Sequence, residues 1–174
     1  MPAQIQYARQ KYGTPFREFT LIKTISDLGT IPQKFDFVTL IEVIEHLKPE
    51  EIRLLFKEIG RRLNTGGRLV FSTPNYASTW PVLEVLINYL SDISYEEQHL
   101  TKFTYFNLVS KLQRIYPEFE TEFALELRTT THFISPFLAP LISVEAARKL
   151  SRKIPHKNWK FPFGNLVFVV LRKT

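Results

Sequence analysis

The alternation of apolar and polar residues is clearest between residues 35 and 75, where it predicts a strand followed by a helix. Residues 37–41, FVTLI, are β-branched or aromatic apolar residues for the most part, which is typical of a buried parallel strand. A helix begins at residues 48–51, because a proline suits the first turn and two glutamates favour the positive end of the helix dipole. The apolar side chains of this helix recur on one face: Ile52, Leu55, Phe56, Ile59 and Leu63.

A second strand is predicted directly after this helix. Residues 64–67, NTGG, end the helix with a glycine available for a left-handed cap, and residues 68–73 follow as a strand that Pro74 interrupts. A strand, a crossover helix and a strand of these lengths form a right-handed βαβ unit in a parallel sheet. The pattern therefore predicts an α/β fold.

The flanking segments predict further elements on both sides of this unit. Before it, the pattern indicates a helix over residues 4–12, a strand over 19–25 and a loop over 26–32. After it, the predicted elements are a helix over 77–90, a helix from Thr104 to Pro117, a strand over 119–127, an irregular segment over 128–140, a short helix over 144–150 and a strand over 166–171.

Composition places the chain among ordinary globular proteins. Its 174 residues are 44% hydrophobic and 23% charged, which predicts one domain with a sizeable core. The chain has no cysteine, which excludes disulfide scaffolds, thiolate metal sites and cysteine nucleophiles. The first residues lack the apolar core of a signal peptide and no apolar run reaches the length of a membrane span, so a cytoplasmic location is expected.

The positive charge is concentrated near the C-terminus. The net charge is +6, yet the stretch from Arg148 onwards holds eight basic residues and no acid, leaving 15 basic and 17 acidic residues before it. A dedicated nucleic-acid binder is disfavoured, because its basic patch should accompany the site. Residues 148–163 mix basic and aromatic side chains, which suits either contact with an anionic membrane surface or a solvated loop whose aromatic rings pack inward.

Three separate blocks of the chain resemble the class I S-adenosylmethionine-dependent methyltransferases. They are FDFV at residues 35–38, EVIEHL at 42–47, and NTGGRL at 64–69 leading into STPN at 72–75. The similarity is closest to the ubiquinone-biosynthesis-like O-methyltransferases. It implies a Rossmann-like sheet with strand order 3-2-1-4-5-7-6 and helices on both faces. It also implies S-adenosylmethionine as cofactor and an oxygen of a small molecule or lipid precursor as methyl acceptor.

The N-terminal part of that family's pattern has no counterpart here. The Gly-rich loop after the first strand and the acid that ends the second strand are both missing, so the resemblance implies a partial methyltransferase domain. Within it, residues 1–75 would form the cofactor side, 76–112 a cap-like insertion with a helix, and 113–174 the last strands with the basic loop. Without the first two strands, apolar strand edges should be exposed. Three explanations remain open: a piece of a longer protein, which we favour; a short protein completed by a dimer or another partner; and a non-catalytic relative.

The resemblance also implies individual site residues. Asp27 and Leu28 match the positions that hold the cofactor's adenine, although an Asx turn would equally explain the aspartate. Ile41 and Glu42, at the end of the predicted strand, would line the cofactor pocket. His46 is the candidate general base, because it follows a parallel strand at the edge where such sheets bind ligands; the alternative is that it only stabilises the following helix.

A metal is the remaining question that the sequence raises. Glu42, Glu45, His46 and the distant His99 resemble the metal-binding set of the small-RNA 2′-O-methyltransferases, in which a divalent cation could clamp a ribose diol. The EVIEHL pattern also occurs in metal-free small-molecule enzymes, and the first 147 residues are slightly acidic. A metal-free site is therefore the expectation from sequence.

Overall fold

The chain divides into two compact units, Met1–Gln33 and Lys34–Thr174. The computed structural model describes residues 2–90, 98–132, 143–146, 149 and 161–174. In the first unit, helix α1 spans Pro2–Tyr12 and a 3₁₀ helix spans Ile25–Thr30. The division of the chain into functional regions proposed above stays a prediction.

The strand predicted over residues 19–25 is wrong. That segment is irregular up to the 3₁₀ helix, which also replaces most of the predicted loop. Asp27 explains the difference, because its carboxylate accepts hydrogen bonds from the backbone N–H groups of Lys23 and Thr24 at 2.8 and 3.0 Å. These bonds curl the chain where the β-branched residues alone favour an extended one. A strand also needs a paired neighbour to be stable.

The second unit is built on a four-stranded mixed sheet. Its strands are β1 Phe35–Ile41, β2 Leu63–Pro74, β3 Phe123–Thr131 and β4 Leu166–Lys173, and its helices are α2 Pro49–Arg62, α3 Trp80–Leu90, α4 Leu108–Ile115 and α5 Phe119–Glu122. The spatial order is β1-β2-β4-β3. β1 and β2 are parallel, while β4 runs antiparallel to both β2 and β3. This order matches the 4-5-7-6 half of the sheet that the resemblance implies, so the expected truncated Rossmann-like α/β fold is confirmed.

The core lies between one face of the sheet and α2. Phe56 of α2 is fully buried and packs edge-on against Phe71 of β2, with ring centroids 6.0 Å apart. Phe119 and Phe123 extend the same aromatic cluster toward β3. This packing explains why the predicted apolar stripe is regular, since all five of its members are buried.

The first strand is not buried as expected. Phe37 and Ile41 are 56% and 60% exposed, and in the part of the chain that the structure describes β1 pairs with β2 alone. The physical reason is that strands which would lie beside β1 in the resembled family have no counterpart here. The exposed apolar strand edge expected from that absence is therefore present.

The other boundaries differ from the predictions in detail. The strand predicted over 119–127 begins only at Phe123, after the short helix α5, and continues to Thr131 through residues expected to be irregular. Of the predicted helix over 144–150, residues 144–146 are helical and most of the remainder lies outside the described residues, as does most of the basic stretch 148–163. Within the described ranges, no helix has the length and apolarity needed to cross a membrane.

Candidate active site

β1 and β2 are parallel, so the segments that follow these two strands lie at the same edge of the sheet. At the end of β1, Glu42 adopts a left-handed backbone conformation with φ of 54°, which is uncommon outside glycine and is often found at functional sites. Its N–H donates to the carbonyl of Ser72 on β2 at 3.2 Å, and its Oε1 accepts from the Ser72 hydroxyl at 3.0 Å. Burial raises the pKa of the Glu42 carboxyl.

The turn after β1 is tied to a distant segment of the chain. His46 Nδ1 contacts the carbonyl oxygen of Gln98 at 3.0 Å, and since a carbonyl only accepts, this nitrogen carries the proton. The N–H of Thr101 donates to the carbonyl of Glu45 at 3.0 Å, while its hydroxyl donates to Leu47 at 2.7 Å. Three bonds therefore fix the turn that presents His46, whose side chain remains 39% exposed.

Glu45 is buried in the centre of this edge. It is 1% exposed, and its Oε2 accepts from the Thr73 hydroxyl at 3.0 Å. Its other oxygen, Oε1, has no hydrogen-bond partner among the described residues and lies 3.9 Å from Nε2 of His46. Burial is the main reason that the pKa of Glu45 rises to about 7, and the nearby Glu42 carboxylate adds to the effect.

His99 lies beside His46 and has its own buried partners. The two imidazole centroids are 5.0 Å apart, and His99 is 4% exposed. Its Nδ1 is 3.1 Å from Oε1 of Glu84 and 2.8 Å from the Tyr76 hydroxyl, which itself donates to Glu84 at 2.8 Å. Burial lowers the pKa of His99, whereas the Glu84 carboxylate acts in the opposite direction. Burial and the Glu84 carboxylate raise the pKa of Tyr76.

The sequence-based site residues fall into two groups. Ile41, Glu42 and His46 lie together where β1 ends, as their positions predicted. Asp27 and Leu28 belong to the first unit, where the Asp27 carboxylate accepts three bonds within its own turn, two from backbone N–H groups and one from the Thr24 hydroxyl. This is the local-turn alternative named above; the adenine role stays a prediction.

Tyr76 and Glu84 were missed, although the sequence holds one signal for them. Glu84 is the only charged residue in the apolar helix α3, WPVLEVLINYL, and a lone acid in such a helix indicates a buried partner. Tyr76 follows the STPN block directly but carries no such signal. His99 lies 15 and 23 residues from the two groups that it contacts, so only the fold brings the three together.

Comparison with known proteins agrees with this architecture. The family model for a methyltransferase domain matches residues 4–118, whereas no curated protein sequence matches the chain. A SAM-dependent methyltransferase from Archaeoglobus fulgidus has a similar structure with a TM-score of 0.58 and 16% identity; the similarity covers 100% of this chain and 73% of that one.

Two other solved structures give the same result. The plantazolicin methyltransferase BamL, solved with S-adenosylhomocysteine (SAH), has a TM-score of 0.59 at 13% identity, covering 99% of this chain and 65% of that one. The cyclopropane synthase MmaA2 from Mycobacterium tuberculosis has a TM-score of 0.53 at 14% identity, covering 98% and 66%. At these identities the likeness concerns the fold. Because the family match spans well over half of its residues and the strand order agrees, the chain belongs to the methyltransferase-domain family of class I S-adenosylmethionine-dependent methyltransferases.

Proposed function

We propose that the enzyme containing this chain transfers a methyl group from S-adenosylmethionine to an oxygen of a small molecule or lipid precursor, as in the ubiquinone-biosynthesis-like enzymes. The observation that carries the proposal is the half-exposed His46 at the carboxyl end of a parallel strand. Its Nδ1–H is held by the Gln98 carbonyl, so Nε2 bears the lone pair that a general base needs.

The cofactor would lie along the end of β1. Ile41 is 60% exposed there and offers an apolar contact, while Glu42 offers a carboxylate for a hydroxyl of the cofactor. The adenine role that the resemblance implies for Asp27 and Leu28 of the first unit is a separate part of the proposal, and it requires the Asp27 carboxylate to exchange one of its internal bonds for the adenine amine. BamL, which was solved with SAH, supports this class of cofactor for the fold.

The reaction needs little covalent participation from the protein. A bound S-adenosylmethionine would supply the methyl group, and the acceptor oxygen would take that group in exchange for its own proton. The proton of the acceptor hydroxyl passes to Nε2 of His46. Holding the two reactants in line and removing that proton are the contributions expected from this edge of the sheet.

The test separates cofactor binding from chemistry. SAH would be titrated calorimetrically into the folded 174-residue chain and into any longer product of the same gene. The variant His46→Asn should retain SAH affinity within a factor of about three but lose about 10²–10⁴-fold in turnover, the usual contribution of a general base. Full turnover in this variant would remove the base assignment, whereas absence of SAH binding by both folded proteins would remove the cofactor proposal itself.

A partner-dependent or non-catalytic module is the second candidate function. Its support is the exposed apolar edge of β1, where Phe35, Phe37 and Ile41 are 38%, 56% and 60% exposed. A second copy of the chain or an upstream segment would cover such an edge. Sedimentation velocity in the presence of SAH distinguishes the two candidates. A chain that stays monomeric while it binds SAH needs no partner.

Peripheral membrane contact through residues 148–163 is a further part of the proposal, together with a cytoplasmic location. In the described part, Phe163 is 43% exposed and packs against the 59% exposed Phe106, with centroids 6.0 Å apart, which gives an aromatic surface beside a basic sequence. Co-sedimentation with liposomes should then increase with the content of anionic lipid and fall with salt. Equal binding to neutral liposomes would contradict this.

A further inference from the structure

Glu84 is buried in a helix that exposes apolar side chains. It is the only charged residue of α3 and is 5% exposed, whereas Val82, Val85 and Tyr89 of the same helix each expose more than half of their surface. Burying a carboxylate costs free energy, while burying valine and tyrosine side chains gains it. Apolar packing alone therefore does not explain the orientation of α3, and the polar contacts of Glu84 supply the missing reason.

These contacts form a closed triangle of three buried or half-buried groups. Oε1 of Glu84 accepts from the Tyr76 hydroxyl at 2.8 Å and lies 3.1 Å from Nδ1 of His99, which is itself 2.8 Å from the same hydroxyl. Burial and the carboxylate raise the pKa of Tyr76, so the hydroxyl keeps its proton and donates it to Glu84. The third bond then takes its proton from Nδ1 of His99, because a hydroxyl has only one proton to donate. The Glu84 carboxylate therefore fixes both of its neighbours.

His99 passes this constraint on to His46. The two imidazole rings pack against each other, with centroids 5.0 Å apart and planes inclined at 56°. Gln98, the residue directly before His99, provides the carbonyl that contacts Nδ1 of His46 at 3.0 Å. Two consecutive residues therefore hold His46, one against the ring and the other at its Nδ1–H group. A displacement of His99 would change both contacts together.

We propose that Glu84 is a positioning residue for His46, which it holds in place and in the Nδ1–H tautomer by anchoring His99 and the adjoining Gln98. An imidazole whose tautomer is not fixed carries its lone pair on the wrong nitrogen for part of the time. The consequence for turnover rests on the proposed function, because the role of His46 as general base belongs to that proposal. The consequence for the tautomer does not. Loss of Glu84 should leave the turn itself folded, since both bonds from Thr101 to that turn remain.

The experiment reads the tautomer of His46 by NMR in the folded chain, isotopically labelled at the ring nitrogens of its four histidines. Long-range proton–nitrogen correlation spectra distinguish a ring protonated at Nδ1 from one protonated at Nε2. They would be recorded at about pH 8.5, well above the ordinary histidine pKa of about 6.5, and the His46→Asn variant would assign the signals. We expect a single Nδ1–H tautomer in the wild type and a mixture of both tautomers in Glu84→Leu. Glu84→Gln should keep the single tautomer, because its amide oxygen still accepts from both neighbours.

Glu58→Leu is the matched control, because it also removes a buried carboxylate from a helix of the second unit. Glu58 is 6% exposed on α2 and accepts from Arg61 and Arg62 at 2.9 and 2.6 Å. Breaking these ion pairs should destabilise the unit, so the control reproduces the general cost of replacing a buried acid. It should nevertheless leave His46 as a single Nδ1–H tautomer. A mixture of tautomers in both variants would show that Glu84 acts only through stability and would overturn the inference.

The turnover of the enzyme that contains this chain gives a second readout. Glu84→Leu should lower kcat by up to about 10²-fold while KM stays within about threefold, because a displaced base affects the chemical step more than binding. Glu84→Gln should restore most of this loss.

Two NMR results would overturn the inference directly: a wild-type His46 protonated at Nε2, or a Glu84→Leu chain that keeps the single Nδ1–H tautomer. If Glu84→Leu does not fold by circular dichroism, Glu84→Asp decides in its place, since its carboxylate is one methylene shorter and no longer reaches His99. The two readouts also separate this inference from the proposed function. A tautomer that depends on Glu84 in a protein without methyl transfer removes the proposed function alone. Turnover that His46→Asn abolishes but Glu84→Leu leaves intact removes the role of Glu84 alone.

Discussion

Asn75 makes the sharpest stability prediction, because a single buried amide joins three parts of the second unit at the site edge. It is 0% exposed, and its Nδ2 donates to the carbonyls of Pro162 and Gly164, both at 2.8 Å. Its Oδ1 accepts from the N–H groups of Ala77 and Tyr105 at 3.2 and 3.0 Å. The amide therefore ties the end of β2 to the segments that precede α4 and β4, and its orientation is unambiguous because all four partners are main-chain groups.

Removing this amide should cost a large part of the stability of the unit. Asn75→Ala breaks four hydrogen bonds at a net value of about 1 kcal/mol each, which gives a loss of about 4 kcal/mol. Single domains are usually stable by only about 5–15 kcal/mol. Asn75→Asp is nearly isosteric but should be at least as damaging, because it turns a carboxylate oxygen toward two carbonyl oxygens in a buried site.

The free energy of unfolding would be measured by urea denaturation at pH 7 for both variants. Asn107→Asp is the matched control: Asn107 directly precedes α4, its Oδ1 accepts from the Thr104 N–H at 2.8 Å, and an acid is favourable at a helix start. It should lie within about 0.5 kcal/mol of the wild type or slightly above it. Asn75→Asp with wild-type stability would refute the reasoning, since it would show that the donor pair contributes nothing.

Three further predictions concern the strand edge, the first unit and Glu45. Replacing the 56% exposed Phe37 with lysine should reduce self-association in sedimentation velocity while leaving the free energy of unfolding nearly unchanged; an unchanged association constant would contradict a role of this edge. Backbone hydrogen bonds lower the pKa of Asp27, so the stability that its carboxylate gives to the first unit is present above the ordinary aspartate pKa and lost as the pH falls through the lowered value. Amide exchange at Ile25–Thr30 should therefore accelerate as the pH falls through that value. Asp27→Asn should abolish this pH dependence. Thr73→Val removes the hydroxyl that donates to the buried Glu45 Oε2 and should lower the midpoint of urea unfolding. Thr121→Val, at an exposed residue that loses one bond to Glu118, should change the midpoint little. Equal effects of the two variants would mean that burial of the acceptor is unimportant.

The parts of the fold that could be predicted from the sequence are those that depend on signals within a few residues. The β1–α2–β2 unit follows from an unbroken helical stripe between two apolar runs, and the proline and acids at its start place α2 within one residue of its observed beginning. β4 was predicted because its apolar run is followed only by the chain end and preceded by a Gly-Asn turn. Such signals act over a few residues and do not depend on what packs against them.

The parts that sequence missed depend on long-range pairing. β3 carries a register irregularity between Leu125 and Leu127, and this irregularity disturbs the alternation from which its limits were predicted. Residues 19–25 have strand-like composition but lack a partner strand. At the site, His46 was predicted from its place after a strand, whereas the contacts of His99 with Tyr76 and Glu84 are created only when α3 folds back toward the end of β2.

The β1 and β2 sides of the site edge differ in burial and in hydrogen bonding. On the β2 side, Asn75, Thr73 and Ser72 are buried and every one of their side chains is hydrogen-bonded. On the β1 side, Phe37 and Ile41 expose more than half of their surface. Hydrogen bonds therefore fix the β2 side within the second unit, whereas the described residues leave the apolar side chains of β1 uncovered. A weak SAH affinity of this chain would therefore report on missing cover beside β1, and it would leave the proposed role of His46 intact.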